Sequence, residues 1–254
     1  MDKHLLVINT LVFLEQQKAG VLQSEMLDVI SQLGIKKAEI RREFIKDLST
    51  ELIDINRKAL ELNMELFYSV PDMLYRDGEL QYENIETYFK EAHVMSCPNV
   101  KMNIGNYTSV TSNDVNRLNK LCDQYSINLR VENDQSEADG KVSKIKTFTD
   151  QYRQLGGNIS VTFDTGNWVW QKEDSIENAK MLKDYVTYIH LKDVTGKEKP
   201  QTVLLNEGDI AWKSILDVLP KDVPVALEYP CGKDATKQLS KELEKLLEPN
   251  ASKL

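Results

Sequence analysis

Four stretches of this chain carry, at or near their ends, a side chain able to bind a cation or move a proton. They are "NLRVEN", "ISVTFD", "YIHLKD" and "PVALEY", and the residues are Glu132, Asp164, His190 and Glu228. Each stretch alternates, so in an extended strand its apolar members face one way and its polar members the other. Leu129 and Val131 oppose Asn128, Arg130 and Glu132. Ile159, Val161 and Phe163 oppose Ser160, Thr162 and Asp164. Ile189 and Leu191 oppose Tyr188, His190 and Lys192, and Val225 and Leu227 oppose Ala226 and Glu228. If the four strands are neighbours, three carboxylates and an imidazole converge. Carboxylates that close do not all stay ionised without a compensating cation. A divalent metal answers that need, and it also explains why no basic residue adjoins Asp164 in "VTFDTGN". The alternative is an inner ion-pair network in which Glu132 pairs with Arg130 or Lys101.

Three oxygens and one imidazole form a hard, mostly oxygen donor set, which favours Mn²⁺ or Mg²⁺ over a thiophilic metal. A metal there polarises a substrate carbonyl and lowers the cost of an enediolate. A carboxylate beside it removes the α-proton. Return of the proton to the opposite face is epimerisation, and return to the neighbouring carbon is isomerisation. Loss of a β-hydroxyl instead is dehydration.

Such a site needs parallel strands that all end on one side. Eight strand-like runs occur, at 5–13, 35–44, 64–70, 99–105, 127–133, 158–164, 186–192 and 223–229, with helical patterns between them. Val142, Ile145, Phe148, Tyr152 and Leu155 mark one helix face, closed by Gly156-Gly157. Val115, Leu118, Leu121, Cys122 and Tyr125 mark another, with Ser112 or Asn113 as its expected cap. Eight βα units in 254 residues predict an α/β protein, a single-domain (β/α)₈ TIM barrel over residues 1–254. An open doubly wound sheet usually carries a Gly-rich loop after the first strand, and "INTLVFLEQQKAG" has none.

At this point the residues look familiar. "RVEN", "VTFDTGN", "YIHLKD" and "VALEYP", in this order, resemble the xylose-isomerase-like TIM barrel superfamily, its sugar phosphate isomerase/epimerase branch above all. "LLNEGDIAWKSIL" and "AEIRREF" resemble further segments of it. The resemblance implies that Glu132, Asp164, His190 and Glu228 are metal ligands, usually for Mn²⁺, with Mg²⁺, Co²⁺ or Zn²⁺ in relatives. It implies that Glu132 and Glu228 move the protons. Asn167 stands where many relatives carry a His that touches metal or substrate, and Lys192 matches the Lys common in "HLKD". The expected function is a divalent-metal-dependent sugar or sugar-phosphate isomerase/epimerase. The alternatives are an inosose-dehydratase-like lyase and a non-enzymatic sugar-binding barrel.

Secondary candidates have two readings each. Lys192 stabilises an oxyanion or salt-bridges a metal-bound carboxylate. Arg41 binds a substrate phosphate or hydroxyl, or pairs with Glu39, which shares its parity. Lys101 and Asn103 line the pocket or are solvated barrel groups. Tyr68 and Trp168 pack on a sugar ring or belong to the core. The acidic "KELEKLLE" tail reads as a solvated helix face.

Net charge is −8, so nucleic acid is a poor partner. The chain has only His4, His93 and His190, too few for the three-zinc endonucleases of the superfamily. No apolar run reaches ~18 residues, so no membrane span is expected. "HLLVINTLVF" reads as a first strand, not a leader. Cys97, Cys122 and Cys231 form no C-x-x-C, and free thiols in a cytoplasmic protein are expected. Such barrels often form homodimers, but no decisive apolar stripe marks an interface.

Overall fold

The computed structural model of the chain describes residues 1–137 and 139–247. Eight parallel strands close into a ring: β1 (Leu6–Asn9), β2 (Lys37–Arg41), β3 (Glu65–Arg76), β4 (Asn99–Gly105), β5 (Asn128–Glu132), β6 (Ser160–Asp164), β7 (Val186–Leu191) and β8 (Val225–Leu227). Each pairs with its sequence neighbour, and β8 pairs with β1 to complete the barrel. A main helix follows each strand: α1 (Gln23–Gln32), α2 (Leu48–Leu62), α3 (Tyr82–Val94), α4 (Ser112–Tyr125), α5 (Val142–Gln154), α6 (Ser175–Leu182), α7 (Trp212–Val218) and α8 (Ala235–Leu247). Among the described residues, no helix is long and apolar enough to cross a membrane.

Most of the core lies between the outer face of the strands and the helices, where Val131, Val161, Phe163, Ile189 and Leu227 meet Val115, Ile145, Phe148 and Leu239. A small second cluster, Val7, Phe67, Tyr188 and Ala226, fills the barrel interior. The alternation in the sequence is therefore the alternation between the helix layer and the barrel interior.

Several details depart from the expectations. The first strand stops at Asn9, because the Asn9 side chain accepts from Leu11 N and starts a 3₁₀ turn over Thr10–Phe13. The third strand runs past Val70. Its register against β4 shifts between Ser69 and Met73, and its end pairs with the short strand Glu79–Leu80. Gly105 is required at that crossing: its φ is +81°, and a Cβ there would lie 1.9 Å from the Tyr75 carbonyl oxygen. α4 is capped by Thr111, not Ser112 or Asn113. Thr111 Oγ1 accepts from Asp114 N, and the Asp114 carboxylate accepts from Thr111 N, a reciprocal box. The α8 face is not wholly solvated: Glu242 is fully buried and accepts from Leu205 N and Tyr229 OH.

Candidate metal centre

The strand register sets the site. Asp164 on β6 lies beside His190 on β7, His190 lies beside Ala226 on β8, and Glu132 on β5 lies beside Thr162 on β6. Glu132 and Asp164 are the last residues of their strands, and Glu228 follows the last residue of β8. All three carboxylates thus reach the C-terminal end of the barrel, where active sites of this fold sit. One ligand atom from each of Glu132, Asp164, His190 and Glu228 lies within 4.8 Å of all the others, and all four residues are buried. His190 Nδ1 is 2.6 Å from Glu132 Oε1 and 3.2 Å from Glu228 Oε2.

"VTFDTGN" has a local logic. Asp164 Oδ1 accepts from Gly166 N and Asn167 N, both at 2.8 Å, which leaves Oδ2 aimed at the cluster. Thr165 continues the seam to β7, since its hydroxyl donates to Lys192 O and accepts from Lys192 N. Gly166 leaves room for Lys192, whose Cγ would lie 2.7 Å from a Cβ at that position. On the other side, Asn133 extends the β5–β6 pairing with its side chain. It accepts from Asp164 N and donates to Asp164 O.

Cations surround the acids. Lys101 Nζ lies 2.5 Å from Glu132 Oε2. Lys192 Nζ is 2.8 Å from both Asp164 Oδ2 and Glu228 Oε2, and Arg41 is 2.8 Å from Glu228 Oε1. Burial works against charge on every one of these groups. For Glu132, Lys101 and His190 outweigh burial and hold the carboxyl down at about 2. For Glu228, His190 and Lys192 outweigh burial and hold it well below the usual range. For Asp164 burial prevails over Lys192, helped by repulsion from Glu228 and Glu132, and the carboxyl is pushed up to about 7. Burial opposes a proton on His190, yet Glu228, Glu39 and Glu132 hold its affinity well above the ordinary imidazole value.

A divalent cation fits this donor set. Glu132 Oε1, Asp164 Oδ2 and His190 Nδ1 are fully buried, and none makes a well-aligned hydrogen bond despite its close charged neighbours. Buried polar atoms left so are rare and costly, and three of them converge. Hard oxygens with one imidazole suit Mn²⁺ or Mg²⁺ and also accept Zn²⁺.

Among the other sequence candidates, Lys101, Lys192 and Arg41 join the cluster. Asn167 adjoins it, with Oδ1 3.4 Å from Lys192 Nζ and 3.2 Å from Gln135 Nε2. Asn103 bonds Asp134 instead. Tyr68 and Trp168 do not reach it. Tyr68 faces the helix layer and donates to Glu91 of α3 at 2.7 Å. Trp168 is fully buried against Phe163, 5.3 Å between ring centroids. The expected Glu39–Arg41 pair does not form: Arg41 is taken by Glu228 and Glu43, and Glu39 by His190. Glu132 chooses Lys101, while Arg130 lies lower in the barrel beside the stacked Phe67 and Tyr188 rings. Sequence reading passed over Asn9, Asn133 and Thr165. Only their position beside a ligand or at an inner strand end signals them.

Asp193, next to Lys192, explains "LLNEGDIAW". Its buried carboxylate accepts from the backbone N–H of Val194, Asn206, Gly208 and Ile210. A Cβ at Gly208 would fall 2.2 Å from Asp193 Oδ1. The motif shapes the loop behind β7.

Similar structures share this barrel. One is the probable 3-DHS dehydratase AsbF of Bacillus anthracis, involved in petrobactin synthesis, at 14% identity and TM-score 0.71, covering 96% of this chain and 99% of that one. The D-allulose 3-epimerase of Methylomonas sp. in complex with D-allulose is 14% identical, with TM-score 0.68 and 95% of each chain covered. The IolI protein with a binding zinc atom is 14% identical, with TM-score 0.70, covering 95% of this chain and 97% of that one. No curated protein matches the chain in sequence. The model of the xylose isomerase-like TIM barrel family matches residues 28–248, and the chain belongs to that family.

Proposed function

We propose that the protein is a divalent-metal-dependent isomerase or epimerase acting on a small sugar or sugar phosphate by proton transfer, with Mn²⁺ the best-suited metal. The observation that carries this reading is the convergence of four buried ligand atoms, three of them without an aligned hydrogen bond. A bound cation supplies Lewis acidity toward a substrate carbonyl. The protein's residues do the rest. Glu132 and Glu228 come from β5 and β8, three strands apart in the ring, and act as the pair of bases. Each is held ionised by a neighbouring lysine, Lys101 or Lys192. A carboxylate held that low is a weak base, so it works on an α-proton that is already acidified. Arg41, Lys101, Lys192 and Asn167 orient the substrate hydroxyls or phosphate. The relative solved with D-allulose supports a sugar as the ligand class.

A dehydratase is the second reading, favoured by one contact. Lys192 donates toward Glu228 at 2.8 Å, so an ammonium stands beside a base, ready to protonate a departing β-hydroxyl. The relative described as a probable 3-DHS dehydratase is in keeping with it. The protein is placed in the cytoplasm on this reading, as a metabolic enzyme with free thiols.

The test is incubation of candidate ketoses and their phosphates in D₂O with Mn²⁺, followed by NMR. Metal-dependent deuterium at the carbon next to the carbonyl supports the isomerase or epimerase. An ultraviolet-absorbing enone product marks the lyase. Turnover of a substrate with full retention of its α-hydrogen would reject the two-carboxylate mechanism.

A further inference from the structure

Glu39 on β2 is fully buried, and its partners explain why. Asn9 Nδ2 donates to its Oε2 at 2.7 Å, and Tyr188 OH donates to the same oxygen at 3.1 Å. His190 Nε2 lies 2.9 Å from Oε2 and 3.2 Å from Oε1. No Lys or Arg side chain among the described residues forms an ion pair with Glu39. A buried carboxylate without a cation is costly unless it serves a partner. Among its partners in the described residues, the one able to carry a positive charge is the ring of His190. Glu39 touches that ring at Nε2, whereas the ligand cluster faces Nδ1. Glu39 therefore acts on the centre from behind the imidazole and does not enter it.

We propose that Glu39 is a positioning residue for His190: it accepts the Nε2 proton, turns the Nδ1 lone pair toward Glu132 and Glu228, and strengthens His190 as a donor to a divalent cation. Two features hold Glu39 in place. Asn9 comes from β1, which pairs with β2 in the register Asn9 to Glu39. Tyr188 is stacked on Phe67 at 4.6 Å and meets His190 edge-on at 4.9 Å. The imidazole is thus fixed in angle by Tyr188 and in proton placement by Glu39. Outer partners of this kind raise ligand basicity and select the ring tautomer.

The proposal rests on the metal-dependent reading above, and the experiment separates the two. Binding of Mn²⁺ alone is measured by calorimetry on the wild-type protein and on Glu39→Gln, Glu39→Asp and Tyr188→Phe. The visible absorption of bound Co²⁺ gives a second readout of the donor set. Glu39→Gln is expected to weaken Mn²⁺ by about 10–100-fold and to alter the Co²⁺ bands. Glu39→Asp keeps the charge and falls between the two. Tyr188→Phe removes one donor to Glu39 and leaves metal affinity nearly unchanged. If the wild type binds Mn²⁺ and Glu39→Gln binds it equally well, the positioning role is wrong while the metal reading stands. Equal weakening by Tyr188→Phe, which keeps both the ring and the Glu39 carboxylate, would also overturn it, because the effect would then not depend on that carboxylate. If the wild type binds no divalent cation, the metal reading itself falls. Should Glu39→Gln not fold, Glu39→Asp carries the test, and an unchanged affinity there rejects the proposal.

Discussion

The two ends of the barrel interior bury charge in opposite ways. At the N-terminal end a single guanidinium, Arg130, lies beside the stacked Phe67 and Tyr188 rings, 5.8 Å from each centroid. Neutral oxygens serve it: Thr187 Oγ1 accepts from Nε, and Asn99 Oδ1 from a terminal nitrogen. At the C-terminal end, Glu39, Glu132, Asp164 and Glu228 crowd around His190 with two lysines and an arginine, and three ligand atoms are left without aligned hydrogen bonds. One end is satisfied and the other is not. The hydrogen bonds to Arg130 offset part of the cost of burying its charge, whereas unsatisfied buried polar atoms that converge mark a candidate functional site.

The strongest way to break this contrast is to neutralise the two proposed bases. Glu132→Gln and Glu228→Gln should each lower turnover by about 10²–10⁴-fold, measured by NMR on a confirmed substrate. One of them can retain partial deuterium exchange, because the remaining carboxylate still works on its own face. A variant with full turnover would remove that residue from the mechanism.

Next come the two proposed ligands that are not proposed bases. Asp164→Asn and His190→Ala should weaken Mn²⁺ by at least about 100-fold, more than loss of an outer partner does. Wild-type protein at 100 times the metal dissociation constant should gain about 2.7 kcal/mol of stability. The variants should lose that gain; Asp164→Asn should otherwise melt much as the metal-free wild type does, whereas His190→Ala also strands the buried Glu39 carboxylate and should melt lower. Melting curves with and without Mn²⁺ report both, and an Asp164→Asn protein with wild-type affinity would count against the centre.

The reverse experiment belongs to the other end. Arg130→Met leaves Thr187 and Asn99 without their donor and a gap beside the two stacked rings. It should cost about 2–4 kcal/mol of stability, read by urea denaturation, with Mn²⁺ affinity unchanged. Loss of metal binding without loss of stability would invert the assignment of the two ends. The smallest effect concerns the thiols. Burial pushes Cys97, Cys122 and Cys231 up to about 12, so at pH 8 almost no thiolate exists. Native protein should react slowly with an aromatic disulfide reagent, and all three thiols should react at once in denaturant.

Strand parity made the centre legible. A period of two assigns Glu132, Asp164, His190 and Glu228 to one face whatever the barrel's exact register, because the apolar partners of each residue announce the other face. The aromatic candidates were not legible in that way. Tyr68 looks like a pocket residue by type, yet it stands one place from Phe67 and therefore faces Glu91 in the helix layer. Trp168 lies beyond the strand, where alternation no longer applies, and it folds back on Phe163. Choice among ion pairs was hidden too. Parity allowed Glu39–Arg41 and Glu132–Arg130, but reach decided otherwise: Arg41 extends to Glu228, and Lys101 on the adjoining strand meets Glu132. Thr111 outcompeted Ser112 and Asn113 as a cap because only it has an acid three residues on.

The Asp193 carboxylate has a use in protein engineering. Four amides of the β7–α7 connection are anchored on one side chain, so the connection keeps its form without a long ladder of strand pairing. The paired segments Asp193–Thr195 and Gln201–Val203 stand out from that anchor, and in the turn between them Gly196 bonds Asp209 and Glu198 pairs with Lys172, away from the ligand quartet. Insertions into that turn, whether a peptide tag, a loop library or a short binding motif, should be tolerated while Lys192 and His190 hold their places. The scaffold thus offers a graft point beside its chemistry that is mechanically separate from it.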